Sequence, residues 1–178
     1  YTFIIPAIIT EQKDAWKIEF DHLKRRGNNP YGIHNKMVIG YLRSLSITIS
    51  AYFIGGVVGM LFYLLCAFIA KSLLEVINYT EHYGLVREPN QPVCIRHSWN
   101  SNNIMSSLLL FNVTRHSAHH EKPNLKFWEL DAYPDAPMMP QGYLSMLYLA
   151  LFLPFVYHEI MAKKLMDWDE YYATPMER

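Results

Sequence analysis

Leu45-Ser46-Ile47-Thr48-Ile49-Ser50-Ala51-Tyr52-Phe53-Ile54-Gly55-Gly56-Val57-Val58-Gly59-Met60-Leu61-Phe62-Tyr63-Leu64-Leu65-Cys66-Ala67-Phe68-Ile69-Ala70 contains no charged side chain. Its roughly 26 residues exceed the ~20 that cross the hydrocarbon core of a bilayer as a helix. Arg43 and Lys71 flank the run, and apolar residues continue beyond both. The run reads as membrane-spanning. One form is a single long span. The other is a hairpin turning near Gly55-Gly56, with arms of roughly 18 and 23 residues. The basic residues that precede it place its start on the cytoplasmic side. Histidines that load a metal such as iron, found downstream, belong on that same reducing side. Both ends on one side require an even number of crossings, so the hairpin is the preferred reading.

The rest of the composition agrees with a membrane chain. Of the 178 residues, 51% are hydrophobic and 15% aromatic, and the apolar residues fall in blocks. The length suits one domain. The formal net charge is zero, which gives no footprint for nucleic acid. Cys66 lies in the apolar run and Cys94 in a polar loop, so no disulfide framework is indicated. The chain opens inside an apolar segment without a signal-peptide pattern, and reads as the C-terminal part of a longer membrane domain. Its expected parts are an interfacial segment at 1–36, the hairpin at 37–84, and a metal-binding and tail region on the cytoplasmic face at 85–178. The expected class is all-α: an integral membrane helical domain with a hairpin and interfacial helices that carry a histidine-rich site.

Glu11 to Arg26 has the pattern of an amphipathic helix, with Trp16, Phe20 and Leu23 on one face and Lys13, Lys17, Lys24, Arg25 and Arg26 supplying charge. It suits a helix at the cytoplasmic interface or one packed on its own domain. Gly27-Asn28-Asn29-Pro30 ends it. At the far end of the hairpin Glu75, Asn78 and His82 share a face, and polar groups on such a helix face a protein interior or cavity. Gly84 is the expected helix stop. Residues 86–103 read as a loop. Ile104 to Leu110 should lead a helix directly into the next histidines, with Pro123 as its end. Leu144 to Tyr157 is too short to span comfortably and is broken by Pro154.

Those histidines are His116-Ser117-Ala118-His119-His120. Positions i, i+3 and i+4 share one face of a helix, so the rings can converge on one point. Three unpartnered rings on one face would waste hydrogen-bonding groups, whereas imidazole is a common ligand of zinc, copper, iron and nickel. His82, on a neighbouring segment, is a candidate fourth ligand. There is no HExxH and no cysteine-rich zinc pattern. Four imidazoles could complete a mononuclear site or form part of a dinuclear one. Glu81, next to His82, and Glu75 are candidate carboxylates behind the ligands, and Asn78, on the stripe with Glu75 and His82, is a further candidate. His97 opens His97-Ser98-Trp99-Asn100-Ser101-Asn102-Asn103 and either orients a ligand or caps the following helix.

Asn78-Tyr79-Thr80-Glu81-His82-Tyr83-Gly84-Leu85, then His97-Ser98-Trp99-Asn100, then Arg115-His116-Ser117-Ala118-His119-His120, resembles in this order the membrane-bound alkane monooxygenases. The resemblance implies a non-haem di-iron oxygenase, holding two iron ions, that inserts one atom of O2 into a terminal C–H bond. His82, His116, His119 and His120 match ligand positions; His97 matches a motif residue that is not a ligand. The family has two earlier histidine boxes, absent here, which implies that the remaining ligands come from an N-terminal part and that this chain alone is inactive. Asp167-Trp168-Asp169-Glu170-Tyr171-Tyr172-Ala173-Thr174-Pro175 and the segment around Lys24-Arg25-Arg26-Gly27 look more like the related xylene monooxygenase hydroxylase. Alkanes would go with a rubredoxin-type carrier, xylenes with a ferredoxin-type reductase. A membrane fatty-acid desaturase is a further alternative, and a metal transporter or sensor with a cytoplasmic histidine site is the non-enzyme one. The resemblance further implies a multi-pass protein of a bacterial inner membrane. On it Leu64 and Ala67 are candidate residues of a channel that takes hydrocarbon from the lipid.

Overall fold

A computed structural model of the chain describes residues 2–89 and 91–178. Among them the regular structure is helical, with one isolated β-bridge between Asn100 and Met138. The chain forms two compact units, Tyr1–Glu75 and Val76–Arg178.

In the first unit, α1 spans Ile4–Arg25. Pro6 sits in its first turn, where a missing N–H breaks no helical bond. The amphipathic stretch expected from Glu11 is thus the later part of a longer helix. It stops at Gly27, whose φ of 69° is the left-handed value that glycine adopts at little cost. Asn35 then opens α2, Lys36–His82, by accepting the N–H groups of Met37 and Val38 on Oδ1 at 2.8 and 3.1 Å.

The helix α2 is not one rod. Gly56 has φ 61° and ψ −155°, a conformation essentially restricted to glycine. A straight helix would hold Ala51 and Gly59 about 12 Å apart. Instead a Cβ on Gly59 would stand 2.8 Å from the Ala51 carbonyl oxygen. The chain therefore turns back at Gly56. Tyr41 and Lys71, equally far from Gly56 in sequence, both reach α1. The Tyr41 hydroxyl donates to Gln12 Oε1 at 2.7 Å, and Lys71 Nζ pairs with Glu11 Oε2 at 2.6 Å. That symmetry is what two arms lying side by side produce.

The hairpin turns its apolar side chains outward. Phe53 is 80% exposed and Ile54 89%, and the most apolar window of α2 is not buried at all within the chain. The segment is long and apolar enough to cross a membrane. Burying such a surface against lipid recovers free energy that water would not give.

The second unit opens with the last turns of α2, which stop at Gly84 with φ 71°, as expected. A Cβ there would meet Leu165 at 2.6 Å, so this glycine also permits close packing on α6, Pro154–Tyr171. The predicted passage from Ile104 straight into the histidines is corrected. α3 covers Ile104–Leu109 only, Phe111 and Asn112 take left-handed φ values of 49° and 58°, and a separate α4 covers His116–Glu121. α3 is inside-out: Ser106 and Ser107 are buried while Ile104, Met105, Leu108 and Leu109 are exposed. Ser107 Oγ bonds Thr114 Oγ1 at 3.0 Å, which bends the chain back instead of extending the helix. α5 spans Tyr143–Phe152, and Pro154 starts α6 at a position where proline costs nothing. The polar tail from Asp167 is the end of that helix. The core gathers Trp99, Trp168, Tyr143, Tyr157, Met146 and Met161, all fully buried.

Running through this core is the extended segment after His97. Trp99 N–H donates to Glu81 O at 2.8 Å, Asn100 N–H to Pro137 O at 2.7 Å, and Ser101 N–H to Thr114 O at 2.8 Å. One polar strand thus ties the end of α2, the approach to α4 and the 137–139 loop together.

Candidate metal centre

Three of the predicted ligands converge within the second unit. His82 arrives on the last turn of α2, and His116 and His120 on α4. His116 Nε2 lies 3.2 Å from His82 Nε2, and His120 Nε2 lies 3.4 Å from it. Their nitrogens all fall within 4.8 Å of one another. Imidazole nitrogens bound to one ion at ~2.1 Å stand about 3.0 Å apart at right angles and about 3.4 Å apart in a tetrahedron. The spacing suits a single ion.

The protons say the same. His82 Nδ1 faces the carbonyl oxygen of His97 at 3.0 Å. A carbonyl only accepts, so Nδ1 carries the proton and Nε2 presents a lone pair. His116 Nδ1 lies 3.3 Å from Glu81 Oε1, and burial pushes the Glu81 carboxyl up to about 8. The His82 Nε2 lone pair then points at His116 Nε2 across 3.2 Å and at His120 Nε2 across 3.4 Å. Three ring nitrogens gathered in this way can share one cation. Burial and the crowding of neighbouring rings push His116 down to about 2 and His120 down to about 4, so both are neutral and available as donors. The residues fit a metal ion.

The remaining candidates fall into place unevenly. His119 is on α4 but exposed, and its ring centroid is 5.7 Å from that of His116 and 6.2 Å from that of His120. It does not join the three convergent nitrogens. Glu81 is buried behind His116, near the buried Tyr143. Asn78 lies one turn before His82 on the same helix. Glu75 belongs to the other unit, where its carboxylate pairs with Lys71 at 2.5 Å. Leu64 and Ala67 are exposed residues of the second arm in that unit. His97 turns neither nitrogen to the cluster: Nδ1 accepts the N–H of Cys94 at 2.9 Å and Nε2 donates to Glu177 Oε1 at 2.8 Å. The cap of α3 is Asn103, whose Oδ1 accepts the N–H of Ser106 at 3.1 Å. A cavity of about 290 Å³ beside His82 and His120 is walled by Leu85, Val86, Val93 and Arg87.

Glu177 is the residue that sequence reading missed. It sits in a polar tail with no local motif, and only the fold brings it to His97, distant in sequence.

Comparison with known proteins extends this picture. The chain is 36% identical over its full length to the xylene/toluene monooxygenase hydroxylase component XylM of Pseudomonas putida, covering 48% of that protein. It is 37% identical, over 97% of its length, to alkane 1-monooxygenase 1 of Pseudomonas aeruginosa, covering 46% of it. Alkane 1-monooxygenase 2 of Alcanivorax borkumensis is 34% identical along the whole chain, with 47% covered. The chain spans about half the length of the curated relatives it matches. The family model for fatty acid desaturases matches residues 5–156. That match takes in both units and every converging histidine, and by it the chain belongs to the fatty acid desaturase family of helical membrane proteins.

Proposed function

We propose that this chain is part of a non-haem di-iron membrane monooxygenase that hydroxylates the terminal C–H of n-alkanes, using O2 and two electrons from a rubredoxin-type carrier. The observation that carries the reading is the convergence of three imidazole nitrogens, at 3.2 and 3.4 Å, in a chain similar to named alkane monooxygenases. His82, His116 and His120 would hold one iron. His119, turned away from them, would serve a second with ligands from outside these residues. Bound iron would supply the activation of O2, one atom entering the C–H bond and the other leaving as water.

The chain's own residues supply orientation and dryness. The His97 carbonyl fixes the His82 ring by its Nδ1 proton, and Glu81, 3.3 Å from His116 Nδ1, would orient that ring around a bound ion. Leu85, Val86 and Val93 give the neighbouring cavity an apolar wall that favours hydrocarbon over water. We place the protein as multi-pass in a bacterial inner membrane, the hairpin crossing twice and the cluster on the cytoplasmic side. Leu64 and Ala67 are assigned to the hydrocarbon path. Tryptophan at either should shorten the accepted alkane, and an unchanged product profile would remove them from it.

Similarity along the whole chain to the xylene/toluene hydroxylase component favours a second reading, hydroxylation of aryl methyl groups with a ferredoxin-type reductase. The deciding experiment gives the gene product carrying this sequence, in membranes, carrier, reductant and O2 with octane and p-xylene in competition. Mass spectrometry then reads 1-octanol against methylbenzyl alcohol. Alkene products would point to desaturation, and products of neither class would overturn the proposal.

A further inference from the structure

We propose that Glu177 is a positioning residue for the metal ligand His82, acting through the turn Ile95–His97. The inference rests only on the metal-binding reading of the histidine cluster, whatever the substrate.

The Glu177 side chain is completely covered, yet it is ionised and fully employed. Oε2 accepts Arg96 Nε–H at 3.0 Å and the N–H of Thr174 at 3.0 Å. Oε1 accepts Arg96 Nη2–H at 3.1 Å and His97 Nε2–H at 2.8 Å. Four donors on one carboxylate is the kind of satisfaction that makes a buried charge tolerable.

What it holds is a single helical turn, Ile95–His97. Trp168 Nε1–H donates to Arg96 O at 2.7 Å, so the C-terminal segment grips this turn by the Arg96 carbonyl, the Arg96 guanidinium and the His97 ring. Cys94 closes the turn from the other side, its N–H on His97 Nδ1. With both ring nitrogens engaged, His97 cannot rotate. The one polar group of His97 left to aim elsewhere is its carbonyl, and that carbonyl receives the His82 Nδ1 proton at 3.0 Å. The path is therefore carboxylate to imidazole ring, ring to turn, turn carbonyl to ligand. It fixes the tautomer and the rotation of His82, on which the direction of its Nε2 lone pair depends. Glu81 faces His116 directly, at 3.3 Å, whereas Glu177 stands behind His82 one step further out.

Outer partners of metal ligands are worth about 10–100-fold in metal affinity. The test uses the purified full-length protein in detergent, titrated with Co(II) as a probe, and reads affinity together with the visible ligand-field spectrum. Glu177→Ala should weaken Co(II) binding by about tenfold or more and shift the spectrum, while the far-UV circular dichroism is kept. Glu177→Gln retains an acceptor for His97 and should lose less. Glu177→Asp, which withdraws the carboxylate from His97, should fall between. His97→Ala combined with Glu177→Ala should cost little more than either alone, because both act on one path. Should the alanine variant not fold, the glutamine and aspartate variants decide. Wild-type affinity and spectrum in those variants would overturn the inference while leaving the metal site standing. Failure of the wild-type protein to bind Co(II) would instead overturn the metal reading itself, and this inference with it.

Discussion

The two units solve opposite problems. The first, Tyr1–Glu75, has almost no interior: among its described residues Leu23 is the one buried hydrophobic side chain. Its apolar residues point outward along a hairpin, and the contacts between its helices are polar or aromatic, as with Gln12–Tyr41, Glu11–Lys71 and Trp16 stacked on Tyr41. The second, Val76–Arg178, buries what the first would expose. Glu81, His97, Ser98, Asn100, Ser101, Thr114, Ser117 and Glu177 are all inside. A hairpin in lipid gains stability from its medium and needs little internal packing. A metal site needs fixed directions, and buried hydrogen bonds supply them.

Removing a ligand breaks the contrast most sharply. If the three imidazoles hold a metal as proposed, His116→Ala should lower the metal content read by elemental analysis by about tenfold or more, while the hairpin still fractionates with membranes. Loss of membrane association would show that the units are not separable in this sense. Trp99→Ala should cost about 3–5 kcal/mol in the second unit, because the side chain is fully buried and its Nε1–H donates to Tyr83 O at 2.9 Å. Near-UV circular dichroism during denaturation would measure it, and a cost below ~1 kcal/mol would deny Trp99 its central place.

Gly56→Ala should cost about 1–3 kcal/mol in the hairpin, since φ 61° with ψ −155° excludes a side chain. Gly55→Ala, where a Cβ meets nothing, should cost far less. Equal tolerance at both, judged by cross-linking of paired cysteines on the two arms, would place the turn elsewhere.

The smallest effect is a pH dependence confined to the second unit. Arg96 first, with the N–H of Thr174 and the ring of His97, holds the Glu177 carboxyl down from the ordinary 4.5 to about 2. A depressed carboxylate contributes stability above its unfolded value and loses it as pH falls through the folded one. Thermal stability should therefore decline between about pH 4.5 and about pH 2, and the decline should be shallower in Glu177→Gln. Identical profiles would mean that the ion pair contributes nothing there.

The elements legible in the sequence are those set by local rules. The uncharged run announced a membrane segment, the glycine pair announced its turn, and Gly27, Gly84 and Pro154 marked helix boundaries where the structure has them. The helix expected to run from Ile104 into the histidines is split, because the Ser107–Thr114 hydroxyl pair and the left-handed Phe111 and Asn112 outweigh local apolar pattern. In the site, His82, His116, His119 and His120 were all visible as candidates. Which three meet was not visible, since i, i+3, i+4 spacing puts rings on one face without saying where a neighbouring helix will cross it. Glu177 carried no signal at all. Its partners Arg96 and His97 are far away in sequence, and nothing in Thr174-Pro175-Met176-Glu177 distinguishes a buried clamp from a solvated tail.

The sequence by itself determined the apolar run suited to lipid and an imidazole set able to hold a metal, because hydrophobicity and ligand type are properties of single residues. The tertiary structure alone decided the geometry. It brought α4 against the end of α2, left His119 outside the convergent trio, and ran a chain of hydrogen bonds from Glu177 through His97 to His82. The direction of a lone pair depends on what holds the other side of the ring, and that is settled only when distant segments pack.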